Sequence, residues 1–179
     1  MTTQLVDMAS ITRLDAAGAR NAIPALTGII RDSVANGASV GFMAENTEAD
    51  FKAYWTGVAA GVETGQILLL VARQGNEIVG TAQVHPAGKP NQPHRADIAK
   101  VLVHSSARRQ GIGEALMLAA EAEALAAGRT LLCLDTDEAG PARRLYNRLG
   151  WTEIGTIPRY ALMPDGSDCG STFFFKSLA

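Results

Sequence analysis

Apolar residues recur along the chain with two periods, and the two alternate in a regular order. Residues 67–72 and 78–84 are apolar, β-branched runs separated by Arg-Gln-Gly-Asn-Glu, which predicts two strands joined by a hairpin turn. Residues 97–104, Asp-Ile-Ala-Lys-Val-Leu-Val-His, predict a further strand. Residues 114–127 set Leu116, Ala119, Ala120, Ala124 and Ala127 on one helical stripe. Leu131-Leu132-Cys133-Leu134-Asp135 then reads as a strand, and a short helical pattern ends in Tyr146. The chain is arranged around this order of strand, loop, helix, strand and helix.

Ahead of that stretch, residues 4–11 predict a short strand. Residues 14–35 carry spaced apolar positions, but Pro24 and several glycines predict an interrupted helix or two short ones. Residues 36–43, Asn-Gly-Ala-Ser-Val-Gly-Phe-Met, are punctuated by glycine and predict a connector with Phe42 capping the core, the alternative being a loop that meets substrate. Thr47 as a cap, Glu48 and Asp50 in a first turn, and Phe51, Tyr54, Trp55 and Val58 on one face predict a helix ending near Gly65. Residues 86–93 are too rich in proline for regular structure. Beyond Tyr146, residues 151–157 predict a strand, 158–170 a turn-rich excursion, and 171–178 a closing strand whose Phe173, Phe174 and Phe175 predict burial on both faces. The sum is a mixed α/β fold. With 179 residues, 47% of them hydrophobic, the chain is long enough for one well-buried core and short for two, so a single domain over residues 1–179 is expected.

Sixteen basic residues against eighteen acidic ones leave a net charge of -2, which gives no broad electrostatic reason to expect nucleic acid or an anionic membrane as partner. Cys133, inside an apolar strand, and Cys169, in a polar turn, have neither metal-ligand spacing nor a disulfide framework, as in a cytoplasmic protein. His85, His94 and His104 are scattered, so no metal site is expected. The first ten residues lack a basic region followed by an apolar run, and no uncharged stretch approaches ~20 residues, so neither a signal peptide nor a membrane span is expected.

The loop between the strand at 97–104 and the following helix carries the chemistry. Gly111 and Gly113 let the backbone turn tightly and approach a ligand, and the free N–H groups of the helix start favour an anion. Arg108 and Arg109 add permanent positive charge, so the stretch reads as a loop that holds phosphates. A Walker loop is excluded, because Gly113 is followed by Glu114 and Ala115 instead of Lys and Ser or Thr. A dinucleotide fingerprint fits in part, with Asp135 ~20 residues further on at a strand end. Against it, Leu116 stands at the third glycine position and Gly111 lies seven residues past His104.

Arg108-Arg109-Gln110-Gly111-Ile112-Gly113 resembles the Arg/Gln-x-x-Gly-x-Gly/Ala motif of the GNAT superfamily of acetyl-CoA-dependent N-acetyltransferases. The flanking Lys-Val-Leu-Val, Leu-Leu-Cys-Leu-Asp and Leu-Tyr-Asn-Arg-Leu-Gly-Trp are similar to that superfamily's central strand, second strand and tyrosine-bearing helix. Residues 37–44, His94-Arg95-Ala96, Leu134-Asp135-Thr136, Pro158 with Tyr160, Pro164-Asp165-Gly166 and the closing Phe-Phe-Lys resemble the tabtoxin-resistance subgroup, over almost the whole chain. The resemblance implies a GNAT-like α/β (α+β) fold: a mixed, mostly antiparallel sheet of about seven strands, splayed between the fourth and fifth and flanked by about four helices. It implies acetyl-CoA as cosubstrate, its pantetheine arm in the splay against the backbone of Leu102 and Val103. The pyrophosphate would rest on amides from Arg109 through Gln110, Gly111, Ile112 and Gly113 to Glu114, with Arg108 and Arg109 at phosphate oxygens. One departure is that Glu138 and Ala139 stand where the superfamily often has an asparagine two turns before its tyrosine.

A thioester is already activated, so an amine held in line attacks it directly, and the remaining tasks are to deprotonate the amine and protonate the departing thiolate. Tyr146 is the expected donor and coenzyme contact, and Asp97 or Asp135 the expected base. Cys133 is expected to pack, which leaves a ternary complex without an acyl-enzyme. Asp97 and Asp135, with Phe42 and Met43 as part of a lid and Arg159 or Tyr160 from the late loop, are the expected acceptor-binding residues. The expected acceptor is a small-molecule amine. The subgroup resemblance implies an amino-acid-like antimetabolite, which would make the role one of antibiotic resistance in a monomer or homodimer. A dinucleotide-binding oxidoreductase and a catalytically silent acyl-CoA-binding protein are the alternatives.

Overall fold

A computed structural model describes residues 9–178. Of the strand expected over residues 4–11, residues 4–8 lie outside the described residues; the first described strand, β1, is Ser10–Leu14. Helices α1 (Ala16–Ala35) and α2 (Glu48–Glu63) come next, then strands β2 (Leu68–Gln74), β3 (Glu77–Pro86) and β4 (Arg95–Val103). After a single helical turn at Ser105–Ala107 come α3 (Ile112–Ala126), β5 (Leu131–Asp137), α4 (Ala142–Arg148), β6 (Thr152–Leu162) and β7 (Asp168–Ser177). One seven-stranded sheet runs in the order β1-β2-β3-β4-β5-β7-β6. The β4–β5 pair is parallel and every other neighbouring pair is antiparallel. Among the described residues no helix is long and apolar enough to cross a membrane.

The interrupted first helix is not found. Asp15 caps the Gly18 N–H at 2.7 Å and α1 runs unbroken through Pro24. Proline removes the bond to the carbonyl four residues back, and both Pro24 and Arg20 are exposed, so water can serve that carbonyl. The opposite stripe, with Ala19, Ala22, Leu26, Ile29, Ile30 and Val34, is buried against the sheet and holds the helix together. The capping box at α2 is as expected: the Asp50 N–H donates to Thr47 Oγ1 at 3.3 Å, and the Thr47 N–H donates to Asp50 Oδ2 at 2.7 Å.

Two apolar clusters cover the two faces of the sheet. One gathers α3 and α4 with Leu70, Val84, Ile98, Leu132 and Phe174, and the other gathers α1 and α2 with Leu69, Val71 and Leu102. The second layer packs on β1 to β4 and leaves β5, β7 and β6 open on that side. The three phenylalanines are therefore not buried on both faces: Phe174 is fully buried, while Phe173 and Phe175 are half-buried on the uncovered face. The turn-rich excursion is shorter than expected as well, because β6 continues to Leu162 and a tight turn at 163–167 returns the chain into β7.

Glu121 on α3 ties the far end of the sheet to the first layer. Its buried carboxylate accepts from Trp151 Nε1 at 2.8 Å and from Lys176 Nζ at 2.6 Å. Removing one partner of such a pair strands the other, so Glu121→Ala is expected to cost about 3 kcal/mol and to lower Tm by roughly 6–12 °C. A thermal melt unchanged within about 2 °C would show that the pair adds nothing beyond its desolvation.

Candidate active site

The gap in the sheet originates in β4. Pairing with β5 extends only over Arg95↔Leu131, Ala96↔Leu132 and Asp97↔Cys133, after which β5 stays with β7 down to Asp137 and β4 parts from it. The register against β3 gives the local cause. Thr81 faces Leu102 and Gln83 faces Ala99, so Lys100 and Val101 both stand opposite Ala82 in a bulge, with Lys100 at φ 51. A bulge of one residue bends the strand and reverses the facing of the residues beyond it. Ala96 and Ile98 pack with the α3 cluster before the bulge, Val101 and Val103 after it, and Leu102 turns to the α1–α2 side. Asp97 thus does not share a face with Val101 and Val103 as a plain alternation predicts.

Beyond β4 the chain makes an anion-ready turn. Gly111 caps α3 at φ 78 with no side-chain hydrogen bond, and the first N–H returned within the helix is that of Ala115, to Gly111 O at 3.0 Å. The amides of Ile112, Gly113 and Glu114 lie in the unsatisfied first turn, and these three residues line a groove of about 450 Å³. Val101, Leu102 and Val103 form one wall of that groove, Arg108, Arg109 and Gly111 its head, and Leu145 and Tyr146 its far wall. The two arginines differ. Arg108 Nε donates to Val103 O at 3.0 Å and its guanidinium lies 3.6 Å from Asp32, which also accepts from Ser105, so Arg108 pins the turn to α1. Arg109, at φ 65, carries the exposed charge. Gln110 is turned out of the groove and accepts from Gln74 Nε2 at 2.8 Å.

Tyr146 is buried between Trp151 and Phe174, ring centroids 6.2 and 5.6 Å away. Burial, reinforced by the charge of Asp135, pushes its phenol up to about 12. A second cavity of about 380 Å³ lies across the strand gap and shares Val101, Leu102, Pro141, Ala142 and Tyr146 with the groove. Asp135, Asp137, Lys100 and Tyr160 line it, with Ser39, Val40 and Gly41 on the α1–α2 side. Asp135 is exposed to this space and accepts from Ser171 Oγ at 2.6 Å.

Several expected site residues stand elsewhere. Asp97 is outside both spaces, bonded to Arg95 at 2.5 Å and opposite His85 in the ladder. Phe42 packs edge-on against Phe51 and Tyr54, at 5.0 and 5.5 Å, as the connector reading predicts, and the Met43 N–H is held by Asn46 at 2.7 Å. The loop meets the cavity through residues 39–41, anchored where Ser39 Oγ donates to Leu162 O at 2.8 Å. Arg159 is paired outward with Asp168 at 2.9 Å, whereas its neighbour Tyr160 lines the cavity. Cys133 lines neither space. The residues that sequence reasoning missed are Lys100, Asp137 and Ser171; only Lys100 left a signal, as a lone cation inside an apolar strand. A third space of about 600 Å³, between α1 and the β2–β3 turn, shares no lining residue with the groove or the second cavity.

Residues 33–151 match the model of the acetyltransferase (GNAT) family. The chain is 33% identical over 144 residues, 69% of its length and 84% of the relative's, to an uncharacterized N-acetyltransferase from the hisH-hisA intergenic region of Azospirillum brasilense. Its fold is similar to an N-acetyltransferase from Staphylococcus aureus Mu50, with TM-score 0.78 and 18% identity over 96% of this chain and 99% of that one. It is also similar to Salmonella typhimurium yncA, solved with its cofactor acetyl-CoA, with TM-score 0.77 and 19% identity over 96% and 94%. The ribosomal-protein-alanine N-acetyltransferase of Brucella melitensis aligns with TM-score 0.77 and 24% identity over 94% and 99%. The splayed sheet with its anion-ready turn is the scaffold that these acetyltransferases share. The chain belongs to the GNAT acetyltransferase family. A mostly antiparallel sheet with one parallel pair is not the parallel dinucleotide-binding fold, so the oxidoreductase reading is set aside.

Proposed function

We propose that this enzyme acetylates the amine of a small molecule by direct attack within a ternary complex. The observation that carries the reading is the junction of the groove and the second cavity at Tyr146, across the gap between β4 and β5. In this reading the pyrophosphate lies on the amides of Ile112 to Glu114 beside Arg109, and the pantetheine arm runs along Val101 to Val103. The acceptor enters the second cavity. Asp135 takes a proton from the acceptor's ammonium, the freed amine attacks the thioester carbonyl, the carbon–sulfur bond breaks as the nitrogen gives up its second proton to solvent, and Tyr146 serves the leaving thiolate. A phenol near 12 is a weaker acid than a thiol near ~8.5, so complete transfer is uphill by ~5 kcal/mol unless the phenol is reprotonated in step. Tyr146 therefore acts first as a hydrogen-bond donor to the developing charge. Asp97 takes no part, and Arg108 acts by holding the turn.

The resemblance to the tabtoxin-resistance subgroup points to an amino-acid-like antimetabolite as acceptor and to a cytoplasmic resistance role. A thiol-release screen with acetyl-CoA across small primary amines tests the reading. Release with none of them, in protein that binds acetyl-CoA, would favour the silent binding protein instead. Cofactor placement has its own test. A side chain at Gly111 must adopt φ 78, strained for a β-branched residue, so Gly111→Val is expected to raise the acetyl-CoA Kd about ten- to a hundredfold by calorimetry. Equal affinity in a folded variant would move the pyrophosphate elsewhere.

A further inference from the structure

We infer that Lys100 is an anion anchor in the acceptor cavity and that the amine acetylated here also carries a carboxylate, an inference that rests on the ternary-complex reading. Lys100 is the one lysine or arginine among the residues lining this space. It sits at the bulge in a left-handed backbone conformation, which a non-glycine residue holds only where its surroundings impose it. Its side chain is partly buried, with Nζ 5.5 Å from the centre of the Tyr54 ring and 3.7 Å from where a Cβ on Gly41 would stand. None of the ion pairs among the described residues involves it.

A desolvated ammonium without a counterion is costly, and an incoming anion relieves that cost. Burial lowers the basicity of Lys100, and the charge of Asp135 works against that fall, so the two lie within electrostatic reach without pairing directly. The cavity is therefore bipolar. The Asp135 side lies beside Tyr146, where the nucleophilic nitrogen must be, and the Lys100 side lies toward Tyr54 and the 39–41 loop. A molecule with an ammonium and a carboxylate spans the two charges, whereas a plain amine leaves Lys100 unpaired and a dicarboxylate without an amine meets Asp135 and Asp137.

The test uses the full chain loaded with coenzyme A and titrated calorimetrically with a panel of α- and ω-amino acids and their matched amino amides. At least one acid is expected to bind wild type about ten- to a hundredfold tighter than its amide, the range for a charge-assisted contact. In Lys100→Met the acid-over-amide ratio should fall close to one, and Lys100→Arg should restore part of it. The same ratio in kcat/KM from thiol release should change in parallel. Equal binding of acids and amides to wild type overturns the proposal without needing any variant. So does a Lys100→Met enzyme that loses acid and amide turnover in equal proportion, the behaviour of a general base. Acid-selective, Lys100-dependent binding with no thiol release from any amine would uphold the anchor and overturn the transfer reading.

Discussion

Tyr146→Phe is expected to lower kcat about a hundredfold while moving the KM for acetyl-CoA less than about twofold. The ring is held by Trp151 and Phe174, and Phe keeps that packing, so the fold and the groove wall persist. The substitution removes one hydroxyl from a residue that lines both cavities, and in the proposed mechanism that hydroxyl acts where charge develops on sulfur. An interaction made only in the transition state lowers kcat and kcat/KM together. The pH dependence has a definite sign. A phenol raised to about 12 is protonated, and so competent as a donor, at all lower pH, and is lost only as pH climbs through that value. The wild-type rate at saturating substrate should thus show no tyrosine-dependent alkaline fall below about pH 11. Unaltered kcat in Tyr146→Phe, with chemistry shown to be rate-limiting, would return the residue to the core.

Much of the fold and of the cofactor turn is legible in the sequence because it rests on local chemistry. Gly111 and Gly113 between a strand and a helix mark a close backbone approach, and the stripe around Leu116 and Ala120 marks the helix that packs behind it. The parts that are not legible depend on tertiary context. Nothing in Ala99-Lys100-Val101 announces a bulge, since neither glycine nor proline stands there, yet that one extra residue bends the strand at the opening of the sheet and reverses the facing of everything after Lys100. Phe42 attracts attention as an exposed-looking aromatic, but a ring of that size finds Phe51 and Tyr54, and the smaller Ser39 to Gly41 are left to meet the cavity. The Phe173–Phe175 run depends on how far α1 and α2 reach across the sheet, which no local pattern records. Pro24 disturbs its helix less than its chemistry suggests, because a single lost bond on an exposed face does not break a helix whose other face is buried.

Asp135→Asn is expected to depress acetyl transfer by about a hundredfold, and Asp97→Asn to leave it within about threefold of wild type. The contrast comes from position. Both residues stand on the sheet near the point where β4 and β5 part, but Asp97 lies where the ladder is still closed and its carboxylate is occupied by Arg95, whereas Asp135 lies beyond the last β4–β5 pair, open to the cavity and within the field of Tyr146. Ser171 donates to one oxygen of Asp135 at 2.6 Å and orients the carboxylate while leaving lone pairs for an ammonium. A carboxylate can accept the acceptor's proton and a carboxamide cannot, so the loss should appear in kcat as well as in kcat/KM. Asparagine keeps the size and the contact with Ser171, so a loss of rate reports charge and basicity instead of packing. If Asp135→Asn keeps wild-type rate with a verified acceptor, deprotonation belongs to water or to the acceptor, and Asp135 is left as the partner of Ser171.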